Sequence, residues 1–152
     1  MIREEITKKY SPELENLLLI LTEFQNSNKE NYIRDEDMAW IAEYLNITMS
    51  AVYGVVTYYS MFSTIPRGRF VIRVCRSPVC SMMGSDTVVT NLESHLGMQE
   101  GLVSRDGLFS YEQVECLGQC DKAPSMMVND EVYGHVTLKE IEKLISSFQK
   151  KI

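Results

Sequence analysis

No apolar run in this chain of 152 residues is long enough to cross a membrane. The longest, Leu17 to Leu21 (LLLIL), is far short of the roughly 20 residues a spanning helix needs. The first residues, MIREEITKKY, lack the apolar core of an export signal. No membrane insertion is therefore expected, and a reducing cytoplasm is the expected compartment. An excess of positive charge is also missing: 15 Lys and Arg stand against 21 Asp and Glu, for a net charge of -6. That balance argues against a nucleic acid or anionic lipid as partner. No G-x-G-x-x-G or P-loop occurs, so the chain itself is not expected to bind NAD. There are only 2 His, which leaves little imidazole for a metal site. Internal repeats, low-complexity tracts and heptad series are absent. At 45% hydrophobic and 24% charged residues, the composition is that of an ordinary globular protein.

What remains is pattern. Ser11-Pro12-Glu13 reads as a helix start with Ser as cap, and Leu14, Leu17, Leu18, Leu21 and Phe24 then follow at helical spacing. The polar stretch Asn26 to Asn28 ends that helix. A second helix follows Arg34, with Met38, Ile41, Ala42 and Leu45 on its apolar face. A third starts at Thr48 or Ser50 and carries Val52, Val55, Val56 and Tyr59, although its VVTYY content also suits a strand. Pro66-Arg67-Gly68 breaks the pattern and predicts a domain boundary, with residues 1–65 helical and 66–152 different in kind.

Beyond the break, Arg69 to Cys75 alternates as a strand. Ser85 is positioned to cap a helix bearing Val88, Val89, Leu92 and Leu96. Leu108 to Val114, Ser125 to Asn129 and Val132 to Val136 read as strands. Thr137-Leu138-Lys139-Glu140 predicts a capping box, opening a helix with Leu138, Ile141, Leu144, Ile145 and Phe148. The order β-α-β-β-β-α describes a compact α/β unit after a helical one, an α+β chain as a whole. Acid is concentrated in the first part, where five basic residues face ten acidic ones; the second part holds ten and eleven.

All four cysteines lie in the second part. Cys75 and Cys80 form C-x4-C; Cys116 and Cys120 form C-x3-C. Both pairs sit at strand-to-loop transitions, in loops containing small residues such as Ser77, Gly84 and Gly118. There, main-chain N–H groups can approach whatever the thiolates hold. Four readings are compatible with this pattern: an iron–sulfur cluster, a structural zinc, a dithiol oxidoreductase, or four unrelated buried thiols. Neither pair has the C-x2-C spacing usual for zinc knuckles and for thiol oxidoreductases. Of the other residues near the loops, Met82, Met83, Met126 and Met127 are expected to fill core. Arg73, Arg76 and Lys122 are cations available to a negative centre or a partner surface. His95 and His135 are not expected to be ligands. Trp40 is expected at core or boundary, and Tyr58, Tyr59, Met61 and Phe62 are expected to pack the helical part against the second domain.

The segments VYGVVTYYSMF (Val52 to Phe62), VCRSPVCSMMG (Val74 to Gly84) and VECLGQCDKAP (Val114 to Pro124), with 35 residues between Cys80 and Cys116, carry a specific resemblance. The chain resembles the 24-kilodalton-subunit family of NADH dehydrogenase (complex I), which includes small subunits of NAD-linked [FeFe] hydrogenases and formate dehydrogenases. The resemblance runs from about Tyr32 to Thr137 at its most specific. It implies a helical bundle followed by a thioredoxin-like α/β ferredoxin domain, with one [2Fe-2S] cluster held by Cys75, Cys80, Cys116 and Cys120. It implies an electron-transfer subunit without catalytic residues of its own. The expected neighbours are a flavoprotein subunit, on which FMN and NAD(H) bind, and further iron–sulfur or hydrogenase subunits. The short N-terminal stretch favours a soluble hydrogenase-type or related electron-bifurcating complex, with an NADH dehydrogenase as the other expected parent. One departure stands in the first cysteine loop, where many relatives have threonine and this chain has Ser77-Pro78-Val79. The reading from another class is a zinc-stabilised interaction module with no redox role.

Overall fold

The computed structural model describes residues 2–150. It divides into two compact units, Met1–Pro66 and Arg67–Ile152.

The first unit is helical: α1 Ile2–Lys9, a 3-10 turn Leu14–Asn16, α2 Leu17–Ser27, α3 Asp35–Tyr44 and α4 Met49–Tyr58. Its core is built from Ile20, Leu21, Met38, Ile41 and Val52, all fully buried, with Phe24 beside them. The stripe expected on α3 is buried throughout. The first stripe is rotated from expectation. Ile20 is buried whereas Leu14 is exposed, because α2 proper begins only at Leu17. Ser11 caps nothing: its Oγ donates to Glu13 (3.1 Å) and accepts from Asn16 Nδ2 (3.1 Å), forming a turn that holds the chain extended before the helix. α4 is a helix despite its β-branched content, since the Thr48 side chain caps it by accepting the Ala51 N–H at 3.2 Å. Trp40 stacks on Tyr44 with ring centroids 5.2 Å apart and tilts against Phe24 at 5.4 Å. Phe62 joins this unit's core, but Tyr58 is 82% exposed and Tyr59 and Met61 are also exposed.

The second unit is a four-stranded sheet with helices. The elements are β1 Phe70–Cys75, α5 Pro78–Met82, α6 Ser85–Leu96, β2 Phe109–Val114, β3 Met126–Val128, β4 Glu131–Tyr133 and α7 Leu138–Gln149. The sheet order is β2-β1-β3-β4, with β1 parallel to β2 and antiparallel to β3, and β3 antiparallel to β4. Phe70, Ile72 and Val74 of β1 share one core with Val88 and Leu92 of α6 and with Ile141, Ile145 and Phe148 of α7. Both long helices therefore cover the same face of the sheet. α7 starts where its capping box is written: the Thr137 N–H donates to the Glu140 carboxylate at 2.9 Å. Its Leu138 lies on the same face as the buried stripe but is exposed, at the first position of the helix. Ser85 is a buried first residue of α6 rather than its cap; that position belongs to Gly84, whose φ of 99° is one that only glycine adopts without strain.

Among the described residues, no helix is long and apolar enough to cross a membrane.

Candidate functional site

Parallel pairing of β1 with β2 determines where the cysteines meet. In register, Cys75 lies opposite Val114, so the two strands end at the same edge of the sheet. Cys75 closes β1, and Cys116 leaves two residues beyond the end of β2. β3 runs the other way and begins at this edge, with Met126 opposite Val74. The tight turn Cys120–Lys122, which precedes β3, is thereby returned to the same place. The carboxyl ends of parallel strands are where α/β sheets place ligands, because the loops there diverge and leave a crevice. The chain joins the loops by main-chain bonds: Cys75 N–H donates to Ser125 O at 3.1 Å, and Arg76 N–H to Val114 O at 2.9 Å.

The first loop is not irregular. Pro78 opens the helical turn α5, with Pro at its first position, and this turn carries Cys80. A turn of five residues is too short to show a periodic pattern, which is why the sequence reads as loop there. It exposes Val79, Met82 and Met83; Met82 is 86% exposed, so Met82 and Met83 do not fill core as expected. Met126, in contrast, is buried in the sheet core.

The four thiols are free, and they are unequal. Cys75 and Cys80 are buried and pack with Ala123 and Leu117; Cys116 and Cys120 are exposed. Around Cys75, burial pushes the thiol pKa up, but this is outweighed by the Ser77 hydroxyl, the Ser77 and Leu117 main-chain N–H groups and Cys80. The net result is a pKa lowered to about 7. Cys75 Sγ lies 3.2 Å from Ser77 Oγ, and Cys80 Sγ 3.4 Å from Ser125 Oγ. On the outer side, Cys116 Sγ accepts the Gly118 N–H at 3.3 Å and lies 3.4 Å from Cys120 Sγ. Gly118 has φ 76°, the left-handed turn that aims this N–H at sulfur. The Cys120 pKa is raised, first by its hydrogen bond with Cys116 and by that neighbour's charge, and further by Cys80 and Cys75. Like charges gathered in one place resist ionisation until a cation joins them.

The expected cations are mostly engaged within the chain. Arg73 Nε donates to Glu112 at 2.8 Å, and Arg76 pairs with Glu115 at 2.8 Å, which raises the Arg76 pKa. The half-buried Glu112 also accepts from the buried Arg67 at 3.2 Å. Arg67 and Glu112 were not singled out by sequence, since nothing in their spacing marks the pair. Lys122 is exposed, as are His95 and His135.

Among the described residues, no group of three or more His, Cys, Asp or Glu side chains converges as a single-ion site. The thiols stand as two adjoining pairs. Two thiol pairs supply the donors of a two-iron centre, in which each iron takes two thiolates. N–H and O–H donors surround the sulfurs, as an electron-rich cluster requires.

The fold is that of a thioredoxin-like domain, with a pair of thiols beside the ends of its parallel strands and a second pair in the loops that follow. Residues 3–149 match the model of the family described as thioredoxin-like [2Fe-2S] ferredoxin, and the chain belongs to that family. Among its relatives, "NADP-reducing hydrogenase subunit HndA" of Solidesulfovibrio fructosivorans is 34% identical over 117 residues, covering 77% of this chain and 68% of that protein. An NADH-quinone oxidoreductase subunit of Aquifex aeolicus is 37% identical over 132 residues, covering 87% and 81%. Another, "NADH-quinone oxidoreductase subunit 2" of Thermus thermophilus, is 35% identical over 147 residues, covering 96% and 81%. The fold is that of part of a solved NAD+-reducing [NiFe]-hydrogenase, with TM-score 0.78 at 20% identity, over 90% of this chain and only 23% of the hydrogenase chain.

Proposed function

We propose that this protein is a one-electron relay subunit of an NAD(P)-linked oxidoreductase complex of the NADH dehydrogenase or hydrogenase type. In this reading Cys75, Cys80, Cys116 and Cys120 hold one [2Fe-2S] cluster. Its neighbours are a flavoprotein subunit binding FMN and NAD(H), and further iron–sulfur or hydrogenase subunits. Residues 66–152 form the cluster domain and residues 1–65 its helical companion. The observation that carries the reading is the shared end of β1 and β2, from which the segments bearing C-x4-C and C-x3-C both leave. Family membership and the names of the relatives support it.

Such a cluster takes up and releases a single electron, which complements a flavin's ability to split an electron pair. The chain's own residues do the rest. The buried thiols of Cys75 and Cys80 anchor one side and exclude water. The exposed Cys116 and Cys120 leave the other side open to a partner, where electrons must enter or leave. Hydride chemistry and any substrate pocket belong to other subunits; no residue here is assigned a catalytic role.

Anaerobic purification followed by iron, sulfide and zinc analysis tests this. The expected sample is coloured, with two irons and two sulfides per chain. A colourless protein with stoichiometric zinc contradicts the proposal.

A further inference from the structure

Two hydroxyls, Ser77 Oγ at 3.2 Å from Cys75 Sγ and Ser125 Oγ at 3.4 Å from Cys80 Sγ, touch the buried pair of sulfurs; among the described residues the exposed pair has no such hydroxyl contact. We propose that Ser77 and Ser125 are positioning residues that donate to the Cys75 and Cys80 sulfurs and thereby raise the reduction potential of the centre. This inference rests on the cluster reading above.

Ser125 carries most of the argument. It is 1% exposed, and a buried hydroxyl without a partner is costly. Its Oγ meets Cys80 Sγ, while its carbonyl accepts the Cys75 N–H at 3.1 Å, so one residue touches both inner cysteines. A thiolate has no proton to give. Once Cys80 is deprotonated to hold metal, the hydroxyl hydrogen must point at sulfur, and Ser125 becomes the donor. The same logic applies to Ser77 and Cys75. Ser77 is half-buried and water can replace it; Ser125 is sealed in and nothing replaces it. Reduction adds one electron and one negative charge spread over the sulfurs. A donor aimed at sulfur stabilises the reduced state more than the oxidised one, so it favours reduction.

The test is a mediated dithionite titration of the cluster-loaded full chain, in which dithionite supplies the electron. Wild type is compared with Ser125→Ala, Ser77→Ala and Ser81→Ala. Ser81 is exposed on the same turn and serves as control. Ser125→Ala is expected to weaken reduction about tenfold, lowering the midpoint by about 59 mV. Ser77→Ala is expected to lower it by less, and Ser81→Ala not at all. An unchanged midpoint in either loaded Ser77 or Ser125 variant, with a normal wild type, overturns this inference and leaves the cluster reading standing. If Ser125→Ala holds no iron, Ser77→Ala decides: a lowered midpoint supports the proposal and an unchanged one overturns it. A wild-type chain that assembles no cluster overturns both.

Discussion

Cys75 and Cys120 show how differently one residue type behaves in two neighbouring thiol pairs. Cys75 is sealed from water, yet three donors and a neighbouring thiol bring its pKa down to about 7. Cys120 is exposed, but the thiols around it push its pKa up. Replacing Cys116 or Cys120 by Ala should abolish stable assembly while changing the stability of the metal-free fold by no more than about 0.5 kcal/mol, as for other exposed positions. Iron content and denaturant melts of each variant check this. Glu112 is a second residue with a sharp expectation. It accepts from both Arg67 and Arg73, so Glu112→Ala takes one acceptor from each of two largely buried guanidinium groups. The expected loss is about 2–3 kcal/mol, less for Glu112→Gln, read as a lower urea midpoint with an unchanged slope.

At the scale of elements, the sequence was most informative where a cap and a stripe coincide. α7 has both, and its Ile141, fully buried between helix and sheet, should cost roughly 2–5 kcal/mol when replaced by Ala, as a thermal melt would show. α1 escaped notice because only Ile6 among its described side chains is buried. Its Glu4-Glu5 and Lys8-Lys9 pairs, acid at the first turn and base at the last, were the available mark. Ser11 misled because a serine before Pro and Glu also suits a turn, and its hydroxyl found Glu13 and Asn16 instead of a helix end. The capping of α4 by Thr48 overrode a strand-like composition. Gly134 explains how β4 supports the site. A Cβ there would lie 2.4 Å from Lys122 Cβ and 2.9 Å from Lys122 O, and the adjacent His135 N–H already binds that carbonyl at 2.6 Å. Gly134→Ala should push the turn bearing Cys120 and reduce iron retention several-fold while the sheet core persists. Iron content measured alongside circular dichroism separates the two effects.

For the molecule as a whole, each unit has an apolar core of its own, which a chain of this length divides between a helical part and a sheet. The family was legible early, because the C-x4-C and C-x3-C pairs and their flanking residues are long, specific strings. What spacing alone left open was which side of the site faces water. That depends on tertiary packing: β1 is buried along its length, whereas the loop after β2 runs outward. The exposure of Met82 and Met83 beside buried Cys80 follows from the same geometry, since a single helical turn turns one residue in and its neighbours out.

The most direct measurement is a reductive titration of anaerobically prepared full chain, followed by electron paramagnetic resonance. The account predicts a diamagnetic oxidised sample that takes up one electron per chain and becomes paramagnetic, with the signal lost in Cys116→Ala and Cys120→Ala. A chain that takes up no electron, or one whose signal survives in both variants, contradicts it.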